Sequence, residues 1–373
     1  MNPFKQDEII ILIGAGASIE ANMPDSISMI RNVEQLVIDQ GGKWNEYRSL
    51  YHYIKSSIHY ADGIKGKFGT DILFNIERLV NTLDELSKKD DHPLYPFVGA
   101  WNPKLTEVAG EDFRKVGSFR NKIVEILRDD WIELKLHDHA DYYKGLVEFQ
   151  REYQHPLRVF TLNYDKCVEI ACKDASIERG FNRDRKWDWR LFEDTENDPK
   201  QIYLYKLHGS TDWKYDESRN LTYLDSTSAI KPEEVAIIFG TSYKLQYIDP
   251  FLFLVYQFRK WTLDDSKLII TVGYGFGDEH INGIIRQALD KSSERKLLAV
   301  APLNGKTAIQ RQIEIGSILQ SSENAGQIVC WDRKAKEFMT DSLKIEKLAG
   351  LFPPKADLIT EITPPITERV RSN

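Results

Sequence analysis

EIIILIGAGAS, residues 8–18, decides the fold. From Ile9 to Ile13 the side chains are apolar and mostly β-branched, with no polar alternation, as in a parallel strand buried on both faces. Gly14-Ala15-Gly16-Ala17-Ser18 follow at once. There Gly14 permits a tight turn and Gly16 lets the backbone approach a pyrophosphate. A helix starting at this point offers unpaired N–H groups and a favourable dipole. Ser18 either caps that helix or touches phosphate. The run is not a full GxGxxG, because residue 19 is isoleucine, and it is no P-loop, since no GKS or GKT follows.

Working outward, similar short apolar runs recur much later, at Leu157 to Thr161, Ile202 to Leu207, Val235 to Phe239, Leu268 to Val272 and Leu297 to Ala301. Helical segments or long connections separate several of them, which predicts an open α/β sheet with crossovers. The region between the first two strands differs in character. Ile72, Ile76, Leu79, Val80, Leu83 and Leu86 fall at helical spacing, as do Ile123, Ile126, Leu127 and Ile132. Gly63 to Gly69 and a Pro-bearing loop from His92 to Pro103 punctuate them. The expected fold is therefore α/β, a Rossmann-like parallel sheet carrying a large, mostly helical insertion. Residues 1–25 and 155–310 form the core and 26–154 the insertion. An α/β extension covers 311–351, and a Pro-rich arm, a loose tail or a subunit-docking segment, covers 352–373.

The formal charge of −7, from 50 Lys plus Arg against 57 Asp plus Glu, gives no global case for nucleic-acid binding. Three cysteines, Cys167, Cys172 and Cys330, make neither a disulfide framework nor a zinc knuckle, so a reducing compartment is expected. No stretch reads as transmembrane. The opening apolar run is too short to span a bilayer and lacks a cleavage-like region, which makes a cytoplasmic protein the expectation.

Candidate chemistry falls where strands end, the place at which open α/β sheets bind ligands. In Thr161-Leu162-Asn163-Tyr164-Asp165, Asn163 can orient a ribose hydroxyl or a water. Asp165 either holds a neighbouring loop or hydroxyl, or caps a helix. In Leu207-His208-Gly209-Ser210, His208 can take a proton near neutral pH, and Gly209 permits close approach. Gly273-Tyr274-Gly275-Phe276-Gly277-Asp278 follows a further strand, and Asn282 beyond it is a donor to ribose or adenine, or a cap. Asp71, Glu77 and Arg78 lie on or before an inserted helix, as a solvated face or a pocket wall. His137-Asp138-His139 lacks a third ligand at metal-site spacing, so no metal is expected. Trp187 and Trp189 form either a platform or the packing of a long loop.

Taken together, these motifs resemble the sirtuin superfamily. GAGAS with Met23-Pro24-Asp25 looks like the family's glycine start and Ile-Pro-Asp loop. TLNYD at 161–165 is similar to its Thr-Gln-Asn-(Ile/Tyr)-Asp element, and LHGS at 207–210 to the element carrying the catalytic histidine. Pro232 with Ile237 to Thr241 resembles a late Pro…Val-x-Phe-Gly-Glu segment, and Gly273-Tyr274-Gly275 stands in place of a Gly-Thr-Ser loop. The 273–282 signature is closer to bacterial sirtuin-like proteins of anti-phage defence, and among these to the NADase subunit of sirtuin–HerA systems. The departures also inform: no cysteine lies between Ser210 and Pro232, which excludes the four-cysteine zinc module of deacylases, and Ser26-Ile27 replaces their Phe-Arg.

The resemblance implies NAD+ as substrate, a homo-oligomer, and a HerA-type helicase/ATPase partner. It implies Asn163, His208 and Asp165 as catalytic residues. Gly14, Ala15, Gly16, Ser18, Pro24, Asp25, Thr161, Gly273, Tyr274, Gly275 and Asn282 would bind the nucleotide. The expected reaction is hydrolysis of NAD+ to nicotinamide and ADP-ribose. A protein deacylase or ADP-ribosyltransferase and a non-catalytic nucleotide sensor or scaffold are the rivals.

Overall fold

A computed structural model gives the fold and describes residues 2–39, 41–69, 72, 74–88, 102–195, 198–218, 220–239 and 249–352. Asp71, most of the 92–103 loop, residues 240–241 and all of the C-terminal arm except Phe352 lie outside the described residues. The described residues form ten strands: β1 (Ile9–Ile13), β2 (Leu157–Thr161), β3 (Ile177–Glu178), β4 (Ile202–Lys206), β5 (Gly209–Tyr215), β6 (Leu221–Tyr223), β7 (Val235–Ile237), β8 (Leu268–Val272), β9 (Lys296–Val300) and β10 (Ile328–Trp331). Seven make a parallel sheet in the order β10-β9-β8-β1-β2-β4-β3.

β1 sits at the middle of this sheet, hydrogen-bonded to β2 and β8. Its side chains alternate between two cores. Ile9, Ile11 and Ile13 pack with the inserted helices, while Ile10 and Leu12 pack with Phe160, Phe258 and Ile285 on the opposite face. Because both faces are covered, a strand with no polar residue is the stable solution. The insertion is helical, as its periodicity predicts. Its main helices are Ser26–Ile38, Arg48–Ile64, Ile76–Ser87, Arg114–Ile126 and Gly145–Tyr153. The opposite face is covered by Phe251–Leu263 and Glu279–Lys291, with Ile315 of Ala308–Ile318.

One expected strand belongs elsewhere. Val235–Ile237 is not part of the parallel sheet; it is β7 of a separate antiparallel sheet, β6-β5-β7. The chain enters that sheet directly from β4 through Gly209, whose φ is +84°, and an added Cβ there would lie 2.1 Å from the Ala236 carbonyl oxygen. Glycine alone accommodates this reversal. His208 is thereby held at the junction of the two sheets. Trp187 packs against Phe181, Phe192 and Trp213, the loop-packing alternative for that residue. Among the described residues no helix is long and apolar enough to cross a membrane.

Candidate active site

Outward from β1 the sheet is built in two directions, β2-β4 on one side and β8-β9-β10 on the other. Such a reversal opens a crevice at the carboxyl ends of the strands. A cavity of about 670 Å³ lies there, lined from the ends of β1, β2, β4, β8, β9 and β10 and from the insertion. That volume is suited to a dinucleotide-sized ligand.

The glycines act differently from their sequence reading. Gly14 N–H donates to the Val272 carbonyl and Gly16 N–H to that of Gly273, both at 2.9 Å, and Ala17 N–H donates to Gly14. A Cβ on Gly14 or Gly16 would fall within 2.8 Å of the Gly273 carbonyl oxygen, and one on Gly273 (φ +63°) would fall 2.1 Å from Ala17 N. The two loops interlock, and the close approach that glycine permits is loop on loop. Ala15–Ala21 is a seven-residue 3-10 segment. The expected helix N-terminus with unpaired N–H groups is therefore corrected: three N–H groups of this turn are consumed within the protein. Gly275 and Gly277 have open space where a Cβ would stand, on the cavity wall.

Ser18 is the hub of a buried network. Its Oγ donates to Asp165 Oδ2 at 2.8 Å, so its lone pairs accept from Asn163 Nδ2 at 3.0 Å and Tyr143 OH at 2.9 Å. Burial pushes the Tyr143 hydroxyl well above its ordinary pKa, which keeps it a protonated donor. Asp165 Oδ1 caps Cys167 N–H at 3.0 Å, and Thr161 Oγ1 receives Asn163 N–H at 3.0 Å. The Asn163 amide is thus fixed at its backbone and at Nδ2. Its Oδ1 is buried and has no hydrogen-bond partner in the protein. Buried carbonyl oxygens are rarely left so, and Asn163 is itself a residue of the cavity wall.

His208 lines the same cavity, 4% exposed. Its Nε2 lies 3.2 Å from Asp278 Oδ2, while Asp278 Oδ1 caps the helix Glu279–Lys291 through His280 and Ile281 N–H. The Asp278 carboxylate at this distance accepts from Nε2–H and orients the imidazole ring. Tyr164 OH donates to the Ile238 carbonyl at 2.7 Å, tying the TLNYD loop to the small sheet.

Of the predicted residues, Gly14, Ala15, Gly16, Ser18, Pro24, Asp25, Asn163, Asp165, His208, Gly273, Tyr274 and Gly275 line this one cavity. Asp25 also caps the helix Ser26–Ile38 through Ser28 N–H. Thr161 and Asn282 are not on the wall. Thr161 braces Asn163, and the Asn282 amide is used internally, donating to the Phe276 carbonyl and accepting from Tyr274 OH, both at 2.8 Å. Glu77 is a wall residue, next to Asn75, which caps its helix. Asp278 and Tyr143 were missed as site residues. Asp278 stands inside the 273–282 signature, whereas Tyr143 has no signal in its local sequence. Among the described residues no group of three or more His, Cys, Asp or Glu is placed to hold a metal ion.

Fold and site together define an α/β protein of the Rossmann-like class with a cavity at the carboxyl ends of its parallel strands. Residues 157–321 match the family profile of the SIR2-like domain, a segment covering less than half of the chain. No curated protein matches. Among solved structures, the chain is similar to a mutant Sir2 homologue in complex with ADP-ribose (14% identity, TM-score 0.42, covering 92% of this chain and 93% of that one). It is also similar to a Sir2 enzyme studied for mechanism and regulation (9% identity, TM-score 0.42, covering 93% and 95%).

Proposed function

We propose that the chain is a sirtuin-like NAD+ glycohydrolase. The observation that carries this reading is the meeting of Asn163, whose Oδ1 is buried without a hydrogen-bond partner, with the His208–Asp278 pair on one dinucleotide-sized cavity. The SIR2-like match over 157–321 includes all three residues.

The C1′–N bond of NAD+ breaks with its electron pair moving onto the nicotinamide nitrogen, which neutralises the pyridinium. Positive charge develops at C1′, and Asn163 Oδ1 accepts from the ribose hydroxyl or the attacking water. His208 takes the proton as the water oxygen bonds to C1′, and Asp278 stabilises the imidazolium. The products are nicotinamide, ADP-ribose and a proton. Asp165 acts on Asn163 through Ser18 and is a positioning residue. The motif resemblance extends the proposal to a cytoplasmic homo-oligomer that depletes NAD+ in anti-phage defence together with a HerA-type ATPase.

A second cavity, of about 270 Å³, also reaches His208 and Asp278 and is lined by Val255, Arg259 and His280. It favours, as the second reading, transfer of ADP-ribose or of an acyl group involving an acceptor entering there. A time course of NAD+, nicotinamide and ADP-ribose with wild type, Asn163→Ala and His208→Ala, with and without the co-expressed ATPase, separates the readings. Stoichiometric free ADP-ribose, lost in both variants, supports hydrolysis. Nicotinamide released with ADP-ribose linked to another molecule supports transfer, and intact NAD+ under every condition despite measurable binding supports a sensor.

A further inference from the structure

Five carboxylates line the large cavity: Glu20, Asp25, Glu77, Asp165 and Asp278. Four of them are engaged within the protein. Glu20 Oε2 accepts from Lys336 N–H at 2.8 Å, and Asp25 Oδ1 from Ser28 N–H at 2.7 Å. Asp165 is held by Ser18 Oγ and Cys167 N–H, and Asp278 by His208 Nε2 and the N–H groups of His280 and Ile281. Glu77, half-buried, has no hydrogen bond and no ion pair among the described residues.

The insertion brings Glu77 to the wall. Asn75 caps the helix Ile76–Ser87, and Ile76 is buried in the core, so Glu77 stands in the first turn. The helix dipole favours a negative charge there, on whichever side of the turn it stands. This one stands on the cavity. The adjoining cation does not neutralise it, because Arg78 forks onto Asp62 at 2.5 and 2.8 Å. The cations of the wall, Lys306, Arg311, Arg333 and Lys334, all belong to segments that follow β9 and β10. Glu77 instead acts near the His208–Asp278 pair. Burial raises the Tyr164 hydroxyl well above its ordinary pKa, and the Glu77 charge is the next cause. Burial and Asp278 do the same to Tyr274, with Glu77 adding to them. The Tyr164 ring lies 6.3 Å from that of His208, and Tyr274 OH donates to the Asp278 carbonyl at 3.2 Å.

We infer that Glu77 is a catalytic residue, the counter-charge for the positive nicotinamide ribose. The inference rests on the proposed function and gives the insertion a part in the chemistry. In NAD+ the glycosidic bond joins a cationic pyridinium to ribose, and on cleavage the positive charge passes to C1′ and the ring oxygen. One positive charge therefore stays at this place throughout, and a carboxylate beside it in a partly desolvated cavity stabilises it. Glu77 forms no bond and moves no proton. The electron pair still leaves with nicotinamide, and the proton of the attacking water still goes to His208.

The test reads charge recognition apart from turnover. NAD+ and NADH, whose nicotinamide ring is neutral, are titrated calorimetrically into full-length His208→Ala and into the same chain carrying Glu77→Gln or Glu77→Asp. ADP-ribose, which lacks the ring, is titrated into each and into wild type. The expected result is about tenfold tighter binding of NAD+ than of NADH, the fold-change of one partly screened charge pair. That ratio falls toward one in Glu77→Gln and is partly kept in Glu77→Asp, while ADP-ribose affinity is the same in all. In the otherwise wild-type chain, Glu77→Gln lowers kcat by about tenfold or more. Equal affinities for NAD+ and NADH, or a ratio that Glu77→Gln leaves unchanged, overturn the counter-charge while the glycohydrolase reading stands. Loss of ADP-ribose binding in Glu77→Gln alone makes the residue structural and overturns it as well. Failure of ADP-ribose and NAD+ to bind wild type overturns the nucleotide reading itself, and the role of Glu77 with it.

Discussion

At the β2 and β4 end of the cavity, Asn163 and Asp165 are 7% exposed and His208 is 4% exposed, and each is held by named partners. At the β9 and β10 end, Lys306 and Arg333 leave 51% and 47% of their side chains exposed, with partners one or two turns away on their own chain segment. The first end is a buried polar network, in which a single deletion leaves other groups unsatisfied. The second is a field of solvated charge, which contributes little to folding and is sensitive to salt. Bond cleavage demands fixed geometry. Recognition of a charged group tolerates movement.

The strongest way to break this contrast is to remove the proposed proton acceptor. His208→Ala is expected to lower kcat by roughly 10²- to 10⁴-fold, the usual contribution of a positioned base, with a much smaller change in ADP-ribose affinity. Rapid-quench turnover and product titration on the same preparation measure the two. A parallel fall in affinity would make His208 a binding residue and the two ends alike.

Next in size is the loop interlock beneath both ends. Gly273→Ala adds a Cβ 2.1 Å from Ala17 N at a positive φ, and is expected to cost about 3 kcal/mol or more. Gly275→Ala, where the Cβ meets open space, is expected to change stability by about 0.5 kcal/mol or less. Denaturant unfolding of the pair gives a direct comparison. Equal losses would show that the glycines serve general flexibility and not the contact.

Ser18→Ala is milder. It removes the acceptor for Asn163 and Tyr143 and the donor to Asp165, with an expected loss of about 1–3 kcal/mol. Turnover should fall with it, because the Asn163 amide loses its anchor. The same network predicts a basic limit. Tyr143 ionises in the folded state well above its ordinary pKa, so the unfolded chain loses this proton first. Stability from Tyr143 is fully present below a pH of about 10 and declines as pH rises beyond it. Unfolding followed from neutral to alkaline pH should show a steeper decline in wild type than in Tyr143→Phe.

Much of the scaffold was legible because burial leaves a direct mark on sequence. β1 reads as a doubly buried strand since both of its faces are covered, and the helices Ile76–Ser87 and Arg114–Ile126 read from one-sided burial. Asn163 and His208 stand out in the sequence because strand ends are where such sheets bind ligands, and both line the cavity. What was not legible depends on partners distant in the chain. Val235–Ile237 has the same apolar look in a parallel or an antiparallel sheet, and only Gly209 redirects it. Asp278 meets His208 across 70 residues and Tyr143 meets Ser18 across 125, so neither pairing has a local signature. The glycines of 14–16 were recognised, but the backbone they approach is that of Gly273, not only a ligand.

The smallest effect is expected at the cationic end and is the sharpest check on the contrast. Arg333→Ala/Lys334→Ala removes two exposed charges and one i,i+4 pair with Glu337. Exposed pairs of this kind contribute about 0–1 kcal/mol, so the unfolding midpoint should scarcely move. If these residues belong to recognition, the substitution weakens nucleotide binding without altering the fold. A large loss of stability would instead place them in the architecture that holds Ala335 and Phe338 against the core. It would also remove the physical difference between the two ends of the cavity.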